Sequence, residues 1–278
     1  MDYVKPEDVA VSMLNAGTNK LWLSPRDLLV RGALSGAILG VATTLAFTGA
    51  VTTGQPIVGA IIFPVGLVCI VLLGLELVTG SFALVPLPWV EGRASLGQVL
   101  RNLGWVMLGN LLGSVAYALL ASIVLTNLWT SAPAGVAAKI VSAAEAKTIG
   151  YAAIGAAGFV TCFVKAVLCN WMVCLAVVLA MTTTSAVGKI VAAWLPIFIF
   201  FAQGFEHLVV NFFIIPAGMM MGSKVGVLDW IVWNAVPVAL GNVVGGFVFT
   251  GLAIYWTFRT AAANRTVARP LVAGAPAE

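Results

Sequence analysis

Six apolar stretches dominate this chain, and each is long enough to cross a lipid bilayer. A membrane-spanning helix needs about 20 consecutive apolar residues. The apolar segments lie at about residues 28–51, 57–90, 99–128, 149–181, 190–221 and 230–258. Unpaired backbone groups are costly in hydrocarbon, so such segments are expected to be helical. The sequence therefore predicts an all-α membrane protein with six transmembrane segments.

Composition excludes an ordinary soluble domain. Hydrophobic residues make up 61% of the 278 residues and charged residues only 9%, whereas roughly a quarter of a soluble protein is charged. The formal net charge of +4 therefore reports membrane topology rather than nucleic-acid binding. All four cysteines lie in apolar segments and lack the spacing of disulfide, zinc or haem sites, so we expect no metal and no cofactor.

The distribution of lysine and arginine indicates the orientation. With both termini in the cytoplasm, ten basic residues lie on that side and three on the other, which is a clear positive-inside bias. We expect a cytoplasmic N-terminal segment over residues 1–26, with an amphipathic helix at about residues 6–23. Residues 27–260 would form the six-span domain, and residues 261–278 a cytoplasmic tail. The first 26 residues show no apolar core of a signal peptide.

The second and fifth segments are too long for one plain span, and each contains a polar interruption. The first lies at residues 76–81 and begins with Glu76, and the second lies at residues 203–207 and includes Glu206. An ionised group at the bilayer centre costs about 3 kcal/mol or more, whereas glycine permits irregular backbone. Each interruption predicts a broken helix, with Glu76 and Glu206 capping the backbone amides at the break.

The two halves of the chain, at about residues 27–128 and 149–258, can be laid over each other. A Gly-Asn-x-x-Gly motif begins 33 positions after Glu76 and 35 positions after Glu206. Each half has three spans, an odd number, so the halves must have opposite orientations in the membrane. The sequence therefore predicts an inverted 3+3 repeat, whose sites typically lie at broken helices near the midplane.

His207 is the only histidine, and its charge changes readily near neutral pH. Its place at a helix break, beside Glu206, predicts that it faces the permeant. Thr79 lies at the equivalent point of the first break, so a Thr–His pair would form one small polar site in apolar surroundings. Around this pair stand apolar side chains that form either hydrophobic constrictions or ordinary core: Phe63, Leu67, Val78 and Phe200.

Lys165 has the highest free-energy cost of burial in the fourth segment, because it is a charged residue near the middle of an apolar run. Snorkelling suits lysines near a helix end, so a lysine that faces a pathway or a neutralising partner is favoured here. Lys165 precedes Glu206 by 41 positions, much as Arg31 precedes Glu76 by 45.

At these residues the chain resembles the formate/nitrite transporter family, over about residues 5–260. The matching runs are Phe-Pro-Val-Gly-Leu at 63–67, Gly-Leu-Glu-Leu-Val-Thr-Gly at 74–80, Cys-Asn-Trp-Met-Val-Cys-Leu-Ala-Val at 169–177, Gly-Phe-Glu-His at 204–207 and Asn-Phe-Phe-Ile-Ile-Pro at 211–216. They fall in both halves of the chain. The Gly-Phe-Glu-His run, with its downstream Asn and Ile-Pro, is the most specific of them.

The resemblance implies an aquaporin-like hourglass fold with one pore per protomer, assembled as a homopentamer. It implies that Thr79 hydrogen-bonds the central His207 and that Asn170 is a polar pore residue. It also assigns Phe63 and Phe200 to an outer constriction and Leu67 and Val78 to an inner one. These assignments are expectations that come from the family and not from the spacing of the residues.

Two departures from the family pattern stand out. Val78 replaces a usual phenylalanine and would reshape the inner constriction. The usual vestibule lysine, sixteen residues before Asn170, falls on Ile154. Lys165 lies eleven residues further on, which at 3.6 residues per turn is nearly the same helix face, so we expect it to supply the positive field instead.

The function implied is a pH-dependent channel of the bacterial inner membrane for small monovalent anions, with formate first and nitrite or hydrosulfide as alternatives. A basic vestibule would concentrate the anion. Burial disfavours its charged form, so it would take a proton near His207 and cross as the neutral acid. A neutral-solute channel is the remaining alternative. An enzyme using Glu206 and His207 is not expected, because the chain carries no recognisable catalytic motif.

Overall fold

The computed structural model describes residues 2–259, and its regular elements in that range are helices apart from one isolated β-bridge. In chain order the helices are α1 Pro6–Leu21, α2 Pro25–Thr53, α3 Pro56–Ile62, α4 Val65–Leu72, α5 Val78–Leu84, α6 Leu87–Val90, α7 Leu96–Leu125, α8 Val136–Ala146, α9 Ile149–Ala152, α10 Gly155–Ala180, α11 Ala186–Ala202 and α12 Leu208–Met220. The last helix, α13, spans Val227–Arg259 and contains two π-helical stretches, Ile231–Ala235 and Val244–Leu252.

Four helices are long and apolar enough to cross a membrane: α2, α7, α10 and α13. Local signals fix where two of them begin. The hydroxyl of Ser24 accepts the N–H of Asp27 ahead of α2, and Ser95 and Gln98 form a capping box at α7. Their outward faces carry exposed apolar side chains such as Leu112 and Val124. Helices of this length with apolar outer faces suit a lipid environment, so the chain is a membrane protein.

The other apolar helices are shorter and form two interrupted pairs. Residues 73–77 separate α4 from α5, and residues 203–207 separate α11 from α12. Gly74 and Gly204 adopt positive φ angles of 61° and 64°, a left-handed conformation that glycine reaches without steric cost. The helix breaks therefore lie at the two polar interruptions of the sequence.

The long helices pack in two close pairs, α2 with α7 and α10 with α13. Glycines of the two Gly-Asn-x-x-Gly motifs make this approach possible. A side chain at Gly113 would clash with the carbonyl oxygen of Ala33, and one at Gly245 would clash with that of Val167. These motifs therefore set the distance between the helices that frame the breaks.

The region before α10 differs from the expectation. The sequence predicts one segment over residues 149–181, but the structure has the short helix α9, a break at residues 153–154, and then α10. Gly155 carries a positive φ of 56° at this break. The helix α8 ahead of it was not predicted at all. The short helix α9 therefore lies between Lys147 and α10, which carries Lys165.

The predicted N-terminal helix is present as α1. Its apolar face contacts protein, because Val9, Met13 and Leu14 pack on Leu84 and Leu87 of α5 and α6. The preceding residues form the β-bridge, in which Tyr3 pairs with Thr183 after α10. The amphipathic pattern of α1 thus reflects docking on the helical bundle. The predicted tail at residues 261–278 lies outside the described residues.

Candidate functional site

The two helix breaks meet at a hydrogen bond between Thr79 and His207. Thr79 lies in the first turn of α5, His207 is the residue just before α12, and both are buried. The Thr79 Oγ1 to His207 Nε2 distance is 3.0 Å. The structure thus brings together the two polar residues that the sequence singled out, from helices more than 100 positions apart in the chain.

The tautomer of His207 follows from its second hydrogen bond. The Nδ1 atom accepts the backbone N–H of Val210 at 3.2 Å, so the ring caps the N-terminus of α12. An acceptor Nδ1 carries no proton, and the neutral ring therefore holds its hydrogen on Nε2. Nε2–H then donates to the Thr79 hydroxyl. Only this side of the imidazole is available for exchange with a permeant.

Aromatic rings cover one side of this pair. Phe200 stacks on the His207 ring with centroids 5.7 Å apart, and Phe63 meets Phe200 edge-on at 5.7 Å. Phe201 stacks on Phe63 at 4.0 Å. Phe63 and Phe200 are the expected outer constriction, whereas Phe201 was not singled out from the sequence. The run Phe200-Phe201 just before the break is the signal that would have revealed it.

Two cavities with no lining residue in common lie at the two breaks. The inner cavity, of about 350 Å³, is lined by residues that include Lys20, Arg31, Leu67, Glu76 and Gly80. The outer cavity, of about 390 Å³, is lined by residues that include Lys147, Lys165, Phe200, Glu206 and His207. The names follow the predicted orientation. Of the two residues expected at the inner constriction, Leu67 lines the inner cavity, whereas Val78 is fully buried and lines neither cavity.

Each cavity contains a buried ion pair. Lys20 Nζ lies 2.6 Å from Glu76 Oε2 in the inner cavity, and Lys147 Nζ lies 2.8 Å from Glu206 Oε2 in the outer one. Both carboxylates are almost fully buried and both ammonium groups are only partly exposed. A buried charge needs such a partner, because an unpaired one is strongly destabilising. The lysine that reaches Glu206 is therefore Lys147, which the sequence reasoning missed.

Comparison with known proteins identifies the family of this chain. The family model described as Formate/nitrite transporter matches residues 7–256. The chain belongs to the formate/nitrite transporter family. A probable formate transporter of Methanothermobacter thermautotrophicus is 38% identical over 248 residues, covering 83% of this chain and 88% of the relative. The Escherichia coli nitrite transporter NirC is 35% identical over 251 residues, covering 88% of each chain.

A solved structure agrees with the family assignment. A chain described as an FNT family ion channel superimposes with a TM-score of 0.78 at 31% identity, covering 90% of this chain and 98% of that one. The resemblance noted in the sequence is thereby confirmed, together with its consequence of an all-helical transport protein in a membrane. Members of this family are transporters and channels, which are not enzymes.

Asparagines, and not the two glutamates, satisfy the backbone at the breaks of this family member. Asn110 Oδ1 accepts the N–H of Val78 at 2.9 Å, and Asn242 Oδ1 accepts the N–H of Leu208 at 2.9 Å. We expected Glu76 and Glu206 to cap these amides, but their oxygens accept from side chains instead. Asn110 and Asn242 belong to the two Gly-Asn-x-x-Gly motifs, whose asparagines therefore carry the role that the sequence reasoning gave to the acids.

Asn170 holds the backbone next to the pair. Its Nδ2 donates to the carbonyl oxygen of Thr79 at 3.1 Å and to that of Asn242 at 2.6 Å. Its side chain is fully buried and lines neither cavity. Within the described residues its Oδ1 has no hydrogen-bond partner. The structure thus places Asn170 behind Thr79, where it positions α5 against α13.

Lys165 also faces the outer cavity, at a different place from Lys147. Its Nζ lies 5.9 Å from the centre of the Tyr151 ring, a cation–π distance. Ile154, where the family lysine was expected, is more than half exposed and lines neither cavity. The lysine that pairs with Glu206 is instead Lys147, which precedes the short helix α9. The glycine-rich run from residue 150 to 158 was the signal that the segment is interrupted there.

Proposed function

We propose that this protein is a pH-dependent channel for small monovalent anions, with formate as the preferred substrate. The observation that carries the proposal is the Thr79–His207 hydrogen bond, placed between two cavities that each contain basic side chains. The cationic outer cavity attracts the anion from the periplasm, because charged walls of low dielectric raise the local anion concentration. Lys165 and Lys139, which line this cavity and make no ion pair within the described residues, supply this field, and the constrictions at Phe63 and Phe200 then strip the water shell from the anion.

Desolvation prepares the anion for protonation. Burial disfavours the charged form of a carboxylate, so the anion binds a proton more readily as it leaves water. One carboxylate oxygen gains the O–H bond, and the anion becomes formic acid, which crosses the constrictions without an unpaired charge. The Nε2–H of His207 and the Thr79 hydroxyl are the polar contacts available to it on the way. On the far side the acid releases its proton to water.

The cap formed by His207 favours water as the immediate proton source. A second ring proton would sit on Nδ1 and remove the acceptor of the Val210 N–H. Direct transfer from an imidazolium therefore requires loss of a helix cap, which is worth about 1 kcal/mol. Proton entry through water beside the neutral ring avoids this cost. Uptake rises as external pH falls in either route, because protons enter with the anion.

We also propose the architecture that the family resemblance implies. The helices α3–α6 would form the second crossing and α11–α12 the fifth, giving six segments, an inverted repeat and an hourglass pore. Both termini would lie in the cytoplasm of a bacterial cell, and five copies would assemble with one pore in each. The matched breaks and matched asparagine caps support the repeat. Cysteine labelling from each side and native mass spectrometry test topology and assembly.

Nitrite is the second candidate substrate, because NirC is 35% identical to this chain. Hydrosulfide shares the same charge and small size. Uptake of radiolabelled formate at several pH values, with nitrite and hydrosulfide as competitors, ranks the three. Electrical recording with formate against urea separates an anion pathway from a neutral-solute channel. Urea flux without formate current or formate uptake would contradict the proposed function.

A further inference from the structure

The inner cavity contains a cation that no other charge balances. Lys20, Arg31 and Glu76 are the charged residues that line it, and the 2.6 Å pair between Lys20 and Glu76 neutralises two of them. Within residues 2–259 the guanidinium of Arg31 makes no ion pair. Arg31 is half-buried in α2. A half-buried arginine on an aqueous cavity, with donors unused by protein, is available to an anion.

Helix contacts show that Arg31 has a counterpart in the outer cavity. The glycine that ends each Gly-Asn-x-x-Gly motif approaches a backbone carbonyl of the helix packed against it. Gly113 lies against the carbonyl of Ala33 in α2, and Gly245 lies against that of Val167 in α10, so these two positions correspond. The break asparagines give the same relation. Asn110 donates to the carbonyl of Gly32 at 2.8 Å, and Asn242 donates to that of Ala166 at 2.8 Å.

Ala33 of α2 thus corresponds to Val167 of α10, and Gly32 corresponds to Ala166. The number of positions between the members is the same in both pairs, so one alignment of α2 with α10 accounts for both. In this alignment the residue before Gly32 matches the residue before Ala166. Arg31 and Lys165 therefore occupy equivalent positions in the two halves. Lys165 lines the outer cavity and likewise makes no ion pair within the described residues. Each cavity thus combines a lysine–glutamate pair with a cation from the first long helix of its half that makes no ion pair, and the outer cavity is also lined by Lys139 of α8.

We propose that Arg31 forms an anion subsite of the inner cavity, and that it loads the pore from the cytoplasmic side as Lys165 does from the outer side. This proposal rests on the proposed function and extends it to export. The ligand is a small planar anion with two terminal oxygens, such as formate or nitrite, because a guanidinium matches that geometry with two parallel hydrogen bonds. Lysine offers a point charge instead. The inner subsite is therefore the more selective of the two.

The alternative role of Arg31 is structural, with a guanidinium that only snorkels toward lipid headgroups. Vesicles of opposite orientation separate the two roles. Initial uptake of radiolabelled formate is measured in everted membrane vesicles, which present the cytoplasmic face, and in right-side-out vesicles. Arg31→Met is compared with Lys165→Met. The matched control is Arg101→Met, since Arg101 is exposed on α7 and lines neither cavity.

We expect Arg31→Met to raise the half-saturating formate concentration about three- to tenfold in everted vesicles, as expected for loss of one charge near a partly solvated site. In right-side-out vesicles the value should change less than twofold. Lys165→Met should show the opposite pattern. Arg31→Lys should keep the charge but lose preference for formate over hydrosulfide at the cytoplasmic face.

Chemical restoration of the charge guards against a folding defect. Arg31→Cys is treated after assembly with a cationic methanethiosulfonate, and in parallel with an anionic one, with treated wild type as the reference. Recovery by the cationic reagent alone supports the subsite. Two outcomes would overturn the subsite: an Arg31→Met variant with the same kinetics as Arg101→Met in everted vesicles, or equal recovery of Arg31→Cys by both reagents. Formate transport by the wild type would still support the proposed function in either case. A wild type that transports no small anion overturns both.

Discussion

In the outer cavity three donors hold the carboxylate of Glu206, whereas in the inner cavity Glu76 has one close donor. Lys147, Tyr151 and Asn211 each lie 2.8 Å from an oxygen of Glu206. Glu76 pairs with Lys20 at 2.6 Å, and its next donor, Ser81, lies at 3.5 Å. The same lysine–glutamate unit is thus held by three close donors in the outer cavity and by a single close contact in the inner one.

The two lysines themselves are supported alike. Asn102 of α7 donates to the carbonyl oxygen of Lys20 at 2.7 Å, and Asn234 of α13 donates to that of Lys147 at 2.9 Å. The outer support continues, because Asn234 also accepts from Asn211 at 3.0 Å. Within the described residues Asn102 Oδ1 accepts nothing. In the first half α1 supplies the lysine that pairs with the buried glutamate, and in the second half the residue just after α8 does so. The lysine of α1 is held by fewer hydrogen bonds to its surroundings.

The largest expected effect comes from His207, which lines the outer cavity and hydrogen-bonds Thr79 of the first break. His207→Phe should lower proton-linked formate uptake about 100-fold or more, since it removes both Nε2–H and the only histidine near the path. His207→Asn is the matched variant, because asparagine is a good N-cap and keeps the bond to Val210. Uptake is measured against pH at equal membrane expression. Wild-type pH dependence in either variant would exclude a central role for His207.

The next test breaks one ion pair at a time. Lys147→Met leaves the buried Glu206 unpaired and should lower the free energy of unfolding by about 3–5 kcal/mol. Lys20→Met should cost less, because α1 packs on the helical bundle less extensively than α8 does, so its displacement would admit water to Glu76 at lower cost. Thermal unfolding in detergent measures both. Adding Glu206→Gln to the first variant, and Glu76→Gln to the second, should recover most of the loss. Equal losses would contradict the difference between the two cavities.

The sequence predicted some residues of the two cavities correctly and missed others. The Thr79–His207 pair and the two breaks were predictable, because polar residues and glycines inside apolar runs are unusual. Lys147 was not predictable, because it lies in the connection between α8 and α9, and helical periodicity along α10 cannot show which side chain of that connection reaches Glu206. The capping role was assigned to Glu76 and Glu206 because both sit at the breaks. Asn110 and Asn242 reach those amides from other helices, which only the tertiary structure shows.

A smaller effect is expected at the centre of the pore. Thr79→Val keeps the shape of the side chain and removes one hydrogen bond to His207. A single buried hydrogen bond contributes about 0.5–1.5 kcal/mol, so formate flux should fall about three- to tenfold with little change in assembly. Flux is measured in proteoliposomes, with Thr79→Ser as the variant that keeps the hydroxyl. Unchanged flux in the valine variant would show that the pairing is not used in transport.

The smallest expected effect concerns the loosely attached α1. Deleting residues 2–20 removes the helix, its β-bridge to Thr183 and the partner of Glu76. Without Lys20 the carboxylate of Glu76 lines the inner cavity with no cation beside it, which changes the charge that an anion and its proton meet there. The truncated protein should therefore show a shifted pH profile for uptake, with the preference among formate, nitrite and hydrosulfide unchanged.

Lys20→Met separates the effect of the ion pair from that of the rest of the helix. If that single change reproduces the shift, the pair controls the inner mouth. An unshifted profile in the truncated protein would leave α1 with a purely structural role and would make the two ends of the pore equivalent in regulation.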